Sequence, residues 1–306
     1  MLNFVLLVLG FIMLIKGADC FVEGASSLAT RFGIPQLVIG LTIVAMGTSL
    51  PEAAVSITAA LGGNAGISVG NVVGSNILNI FVILGLTAVL TNVAIQKSTL
   101  KIEIPYMLAI TAVLLVFGLT GNSINFWEGI ILWGLFIVYL AYLFRMAKNG
   151  SIEDEPAHAP MSLGKCLLMI ILGGIVVVLG SDFAVDGATG IARMIGLSER
   201  FIGLTIVALG TSLPELVTSV TAARKGNADI AIGNVVGSNI FNILFVLGTS
   251  ALIIPITFET AFVIDTLIAI AAGVLLWAGV YRHRELRRPV GIAMLLGYAA
   301  YFMYLI

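Results

Sequence analysis

The chain has 306 residues, of which 59% are hydrophobic, with 15 basic and 16 acidic side chains and a mean hydropathy of +1.12. A water-soluble domain carries about a quarter charged residues, so the composition excludes one and indicates a polytopic helical membrane protein. A net charge of -1 offers nucleic acid no basic surface, and two cysteines, Cys20 and Cys166, are too few for a disulfide framework or a structural zinc site.

A helix needs about 20 apolar residues to cross about 30 Å of hydrocarbon, and ten such stretches are predicted: 2–31, 35–61, 67–91, 102–119, 126–146, 162–193, 198–223, 229–254, 259–281 and 287–305. The opening MLNFVLLVLG lacks the cationic region and small-residue cleavage site of a signal peptide and is read as part of the first span. The first and sixth spans carry charges in their second halves (Lys16, Asp19 and Glu23; Asp182 and Asp186), which implies tilt or extension beyond the bilayer. The acidic, proline-containing KNGSIEDEPAHAP marks 148–161 as a linker between 1–147 and 162–306. With the N-terminus outside, the cytoplasmic connections hold twelve Lys and Arg, among them Lys97, Arg145, Arg224 and Arg282, against Arg193 and Arg200 outside. That bias places both termini on the outside face of the cell membrane and the linker in the cytoplasm.

Sliding the chain by 163 residues lays VIGLTIVAMGTSLPEAAVSITAALGGNAGISVGNVVGSNILNI onto FIGLTIVALGTSLPELVTSVTAARKGNADIAIGNVVGSNIFNI, with 31 of the 42 positions from Ile39 to Ile80 identical. The same offset pairs Gly17 with Gly180, Asp19 with Asp182 and Gly24 with Gly187. Each half therefore holds five spans, and an odd number inserts the second copy upside down relative to the first. The predicted fold is all-α, two inverted five-helix repeats, a design that puts substrate between the copies at mid-membrane.

Each copy contains GTSLPE inside an apolar span. Pro51 has no N–H for the Gly47 carbonyl and its ring crowds that turn, so the helix should break and leave backbone oxygens near Ala45 to Thr48 unpaired; Pro214 does the same from Ala208 to Thr211. Such oxygens are tolerated at membrane depth where they line a cavity or meet a cation. Glu52 and Glu215 lie one turn beyond Thr48 and Thr211, and an ionised acid at a helix centre costs roughly 2.5–3.5 kcal/mol, which argues for function. On the next helix Asn71, Ser75 and Asn79, with Asn234, Ser238 and Asn242, form one polar stripe per copy. Gly70 with Gly74 and Gly233 with Gly237 permit close helix approach. The resulting oxygen set suits a hard cation such as Ca2+. Asn76, Asn239, Ser56 and Ser219 suit interhelical hydrogen bonding equally well, and Asp19 suits a pair with Lys16. His158 and His283 fall in loops. A hydrolase built on Ser49 or Ser212 lacks a nearby base, so the chain is not read as an enzyme.

The doubled GTSLPE and GNVVGSNI segments resemble the repeats of the cation/calcium exchanger superfamily, in particular its prokaryotic sodium/calcium exchanger branch, over nearly the whole chain. The resemblance implies an antiporter that exchanges Ca2+ for Na+ with no cofactor, and the length and sparse polar content of the first and sixth spans suggest alternating access in which these two slide as a gate. It implies Glu52 and Glu215 as central Ca2+ ligands with the backbone oxygens of Thr48 and Thr211. Sodium sites would use oxygens of Ala45, Thr48 and Ser75 and of Ala208, Thr211 and Ser238, and Asn79 and Asn242 form a further central pair. Some members carry Asp at the position of Asn242; here both copies carry Asn, which leaves two formal charges at the site. Proton-coupled members write the motif as GNA-x-E, so GTSLPE favours sodium over a proton-coupled alternative, with a channel the remote one. No separate Ca2+-binding regulatory domain fits within the linker.

Overall fold

A computed structural model describes residues 2–64, 66–149, 161–196 and 208–305. Most of the 148–161 linker, with His158, and the first part of the expected seventh span, with Arg200, lie outside the described residues.

The described chain is almost all helix: α1 (Leu2–Phe32), α2 (Gln36–Thr48), α3 (Leu50–Leu61), α4 (Gly66–Leu90), α5 (Thr99–Gly121), α6 (Phe126–Asn149), α7 (Leu163–Met194), α8 (Ala208–Thr211), α9 (Leu213–Arg224), α10 (Ala228–Ile253), α11 (Thr260–Tyr281) and α12 (Arg288–Leu305). Among the described residues seven helices are long and apolar enough to cross a membrane alone, and α2 with α3 makes an eighth span bent by 50°. The expected tenth span is α12, of 18 residues, and the described part of the seventh is α8 with α9.

Burial separates a core from a shell. Of the most apolar window in each helix, 94% of residues are buried in α10 and 78% in α4, against 22% in α6 and α7. The two helices that carry the GNVVGSNI motif are therefore the centre of the molecule, and α1, α5, α6, α7, α11 and α12 present apolar side chains outward, as lipid-facing helices do. Two short antiparallel ladders tie the halves together: Val93–Ala94 with Glu285–Leu286, and Ser123–Ile124 with Ile256–Thr257. Each joins a loop of one half to a loop of the other.

α1 and α7 pack antiparallel through glycines spaced seven apart, Gly10, Gly17 and Gly24 on one and Gly173, Gly180 and Gly187 on the other. A Cβ on Gly17 would lie 2.9 Å from the Val177 nitrogen and one on Gly180 2.8 Å from the Leu14 nitrogen. Only hydrogen fits between backbones so close. Near the middle of α1, Asp19 binds Lys225 rather than the expected Lys16: the Lys225 ammonium donates to the Asp19 carbonyl at 3.0 Å and lies 3.2 Å from its carboxylate. The ammonium is also 3.9 Å from Glu23.

Candidate functional site

Proline determines where the site forms. α2 stops at Thr48, Ser49 adopts φ -86° and ψ 10°, and α3 restarts with Pro51 in its first turn, where the missing N–H has no intrahelical acceptor to leave unmet. The second copy repeats the break at Ser212, with φ -92° and ψ 3° and Pro214 opening α9. Glu52 and Glu215 thus stand in the first turn of a helix that begins inside the protein, where an anion is favoured by the exposed N–H groups. Both are buried, at 1% and 0% exposure.

The two copies complete each other. Ser49 donates to Glu215 Oε1 at 2.8 Å, and Ser212 donates to Glu52 Oε1 at 3.3 Å and lies 3.5 Å from the Ser75 hydroxyl. The Thr48 hydroxyl lies 3.0 Å from Asn234 Oδ1, and Ser238 donates to the Ala45 carbonyl at 3.3 Å. That carbonyl also accepts from the Ser49 N–H at 3.0 Å, so the Ala45 oxygen is not left unpaired as the proline argument alone predicted. Thr211 closes α8 half-buried, and Ala208 opens it.

The polar stripes divide into two jobs. Asn71 donates to the Glu52 carbonyl at 3.1 Å and to the Ser56 hydroxyl at 2.9 Å, and Asn234 does the same to Glu215 at 3.3 Å and Ser219 at 2.9 Å. These asparagines, with Ser56 and Ser219, fasten the second half of each broken span to the neighbouring helix. Asn76 and Asn239 exchange amide bonds to each other's backbone carbonyls at 3.1 Å and 3.2 Å. Their side-chain oxygens accept from Asn242 at 3.1 Å and from Asn79 at 2.9 Å. Both Asn79 and Asn242 open a widened helical turn, Asn79–Leu84 and Asn242–Leu247, and such turns recur where a helix must aim a side chain at a function.

Four acceptor oxygens of this cluster are buried with no hydrogen-bond partner: Glu52 Oε2, Glu215 Oε2, Asn79 Oδ1 and Asn242 Oδ1. A buried oxygen left unpaired costs about 1–3 kcal/mol, more when charged, and all four are acceptors whose need a cation meets. The set is purely oxygen, and among the described residues no group of three His, Cys, Asp or Glu gathers anywhere. A crevice of about 950 Å³ along α7 reaches both helix breaks at Gly47, Pro51, Gly210 and Thr211, and Asp182 and Asp186 also line it. Ser49 and Ser212 were weighed from sequence only as nucleophiles; their place in a motif copied twice beside the glutamates was the signal for their part as donors.

Broken apolar helices, a buried oxygen cluster shared by two copies of one motif and a crevice leading to it define a membrane ion transporter. The family model for sodium/calcium exchanger protein matches residues 2–145 and 165–306. The chain belongs to that family, a membrane family of sodium/calcium antiporters. It is 39% identical to the putative antiporter CaxA of Alkalimonas amylolytica, over 93% of this chain and 91% of that protein. It is 33% identical to the sodium/calcium exchanger MaX1 of Methanosarcina acetivorans, over 99% and 98%. Its fold matches the sodium-calcium exchanger NCX_Mj, soaked with 10 mM Na+ and zero Ca2+, with a TM-score of 0.85 at 34% identity, covering 98% of this chain and 97% of that one.

Proposed function

We propose that the chain moves Ca2+ across the cell membrane in exchange for Na+. Glu52 and Glu215 hold Ca2+ together with the backbone oxygens of Thr48 and Thr211. Oxygens of Ala45, Thr48 and Ser75 on one side, and of Ala208, Thr211 and Ser238 on the other, take Na+, and Asn79 and Asn242 complete the centre. The observation that carries this reading is the set of four unpartnered buried oxygens, one carboxylate and one amide from each copy. Two carboxylates balance one Ca2+ or two Na+, so the ions compete for one pair of charges. Emptied, the pair repels and needs water, so only a loaded site crosses the membrane and exchange follows. The ions are cargo, and no cofactor takes part.

The architecture that suits this function is ten transmembrane helices in two inverted repeats, 1–147 and 162–306, joined by the cytoplasmic linker 148–161, with both termini outside. The antiparallel packing of α1 on α7, equivalent helices of the two copies, supports the inversion. Na+ rather than H+ as the coupling ion is favoured by the GTSLPE form of both motifs and by the naming of MaX1 as a sodium/calcium exchanger.

The test is 45Ca2+ uptake into proteoliposomes loaded with Na+, beside vesicles with an outward proton gradient and no Na+. Uptake is expected with Na+ alone, and Glu52→Gln or Glu215→Gln is expected to abolish it in protein that still purifies as a folded species. Uptake driven by the proton gradient assigns proton coupling instead, and gradient-independent equilibration assigns a channel.

A further inference from the structure

Among the described residues three carboxylates are buried: Glu52, Glu215 and Glu103. Glu103 belongs to another place. It closes the widened first turn of α5, Thr99–Glu103, and is fully buried, as is Thr99. One Glu103 oxygen accepts from the Tyr142 hydroxyl on α6. The Thr99 hydroxyl interacts with the same carboxylate, whose Oε2 makes no well-formed hydrogen bond, and the buried Ser98 hydroxyl oxygen on the same stretch of chain makes none either. Asp229, at the start of α10, is within electrostatic reach of Glu103 and accepts from Gln96. Unpaired buried oxygens on one turn, one of them on a carboxylate, are what an oxygen-liganded ion requires and what native proteins otherwise avoid. Intramembrane acids without such a use are rare.

The second half carries a related pair, since Asp265 on α11 accepts from the Tyr301 hydroxyl on α12 at 3.0 Å. The left-handed residues that follow α5 and α11, Asn122 and Arg284, lie 162 apart, and the same step sets Asp265 against Glu103 and Tyr304 against Tyr142. Asp265 is only half-buried, whereas Glu103 is fully buried beside two buried hydroxyls, at the end of α5 that packs on the C-terminal part of α6. The Glu103 cluster also touches the helix that bears central-site oxygens. Tyr139, one turn before Tyr142, stacks on Tyr106 at 5.7 Å and donates to the Leu41 carbonyl at 3.5 Å, inside the widened Gly40–Val44 segment of α2 that leads to Ala45 and Thr48.

We propose that Glu103, Thr99 and Ser98 form a second hard-cation site, for Na+ or Ca2+, whose ion is not transported and whose occupancy biases α2 from one face of the membrane. Binding at Glu103 stands apart from the proposed transport site; only its effect on exchange rests on that reading.

Trp277 reports on this turn, since its indole N–H donates to the Leu100 carbonyl at 3.1 Å. Purified Glu52→Gln/Glu215→Gln protein, with the central carboxylates neutralised, is titrated separately with Ca2+ and Na+ at constant ionic strength while tryptophan fluorescence is recorded. A saturable change is expected, lost on adding Trp277→Phe and lost on adding Glu103→Gln. Saturation by Ca2+ alone or by Na+ alone identifies the ion. Thr99→Val, which leaves the carboxylate in place, is expected to weaken the midpoint and guards against misfolding in Glu103→Gln. A titration with no saturable change for either ion overturns the proposal, as does a change that survives Glu103→Gln or a midpoint unmoved by Thr99→Val. Failure of the transport-site reading appears separately, as 45Ca2+ uptake that survives Glu52→Gln alone.

Discussion

At the scale of single residues, paired amides join the two copies beside the central site. Asn76 satisfies three groups of the other copy or its own: it donates to the Asn239 carbonyl, accepts from Asn239 on its backbone and accepts from Asn242 on its side chain. Asn76→Ala keeps the backbone acceptor, yet strands the Asn242 amide in the dry interior and leaves the Asn239 carbonyl with only its intrahelical partner. Each group left unsatisfied costs about 1–3 kcal/mol, so a clear fall in melting temperature in detergent is expected, and Asn239→Ala should lower it by a similar amount because its bonds mirror those of Asn76. The double variant should cost less than the sum of the two, since both remove one shared network. The sequence marked these asparagines as polar and repeated. It did not tell ligand from fastener, because that depends on whether the partner 163 residues away presents a carbonyl or an open space.

At the scale of helices, glycine positions set the spacing of the site. A Cβ on Gly237 of α10 would lie 2.8 Å from both the α carbon and the carbonyl oxygen of Leu41, and 2.8 Å from the Ala45 side chain. Backbone cannot move aside as a flexible side chain does. Gly237→Ala should therefore displace α2 from α10 at the level of Ala45 and Ser238, with an overpacking cost of about 1–3 kcal/mol. Thermal unfolding measures the cost, and 45Ca2+ uptake is expected to fall more than stability does, since ligand oxygens sit on both displaced helices. A variant with normal uptake would show that the α2–α10 spacing is not what holds the site. The small-residue pattern at Gly233 and Gly237 was legible in the sequence, and the partner helix was not.

For the whole molecule, the seam between α1 and α7 joins the only two helices longer than 30 residues among those described. Their glycine steps let them run in contact along their length, and the crevice beside α7 lies between that pair and the broken helices. Gly17→Val places branched carbon where the Val177 backbone nitrogen would be only 2.9 Å from the new Cβ. It should separate the pair, lower the melting temperature and abolish Na+-driven uptake. Lys225→Ala, in contrast, removes an ion pair that is partly exposed at both ends. Such pairs contribute about 0–1 kcal/mol, so the melting temperature should stay nearly constant, which the same unfolding measurement checks.

The sequence alone determined the class of protein, the places of the described apolar helices, the duplication and the two helix breaks. Those properties are carried by apolar length, by self-similarity and by the missing N–H of proline, all of which are local or compared along the chain. Tertiary structure decided which oxygens remain without partners, that the serine of each GTSLPE serves the glutamate of the other copy, and that Asn71 and Asn234 brace helices. It also decided that Glu103 is buried with an unpaired oxygen, which its place near a helix end did not reveal. A hydrogen-bond partner more than 100 residues away is set by how helices pack, and no property of either segment by itself encodes it.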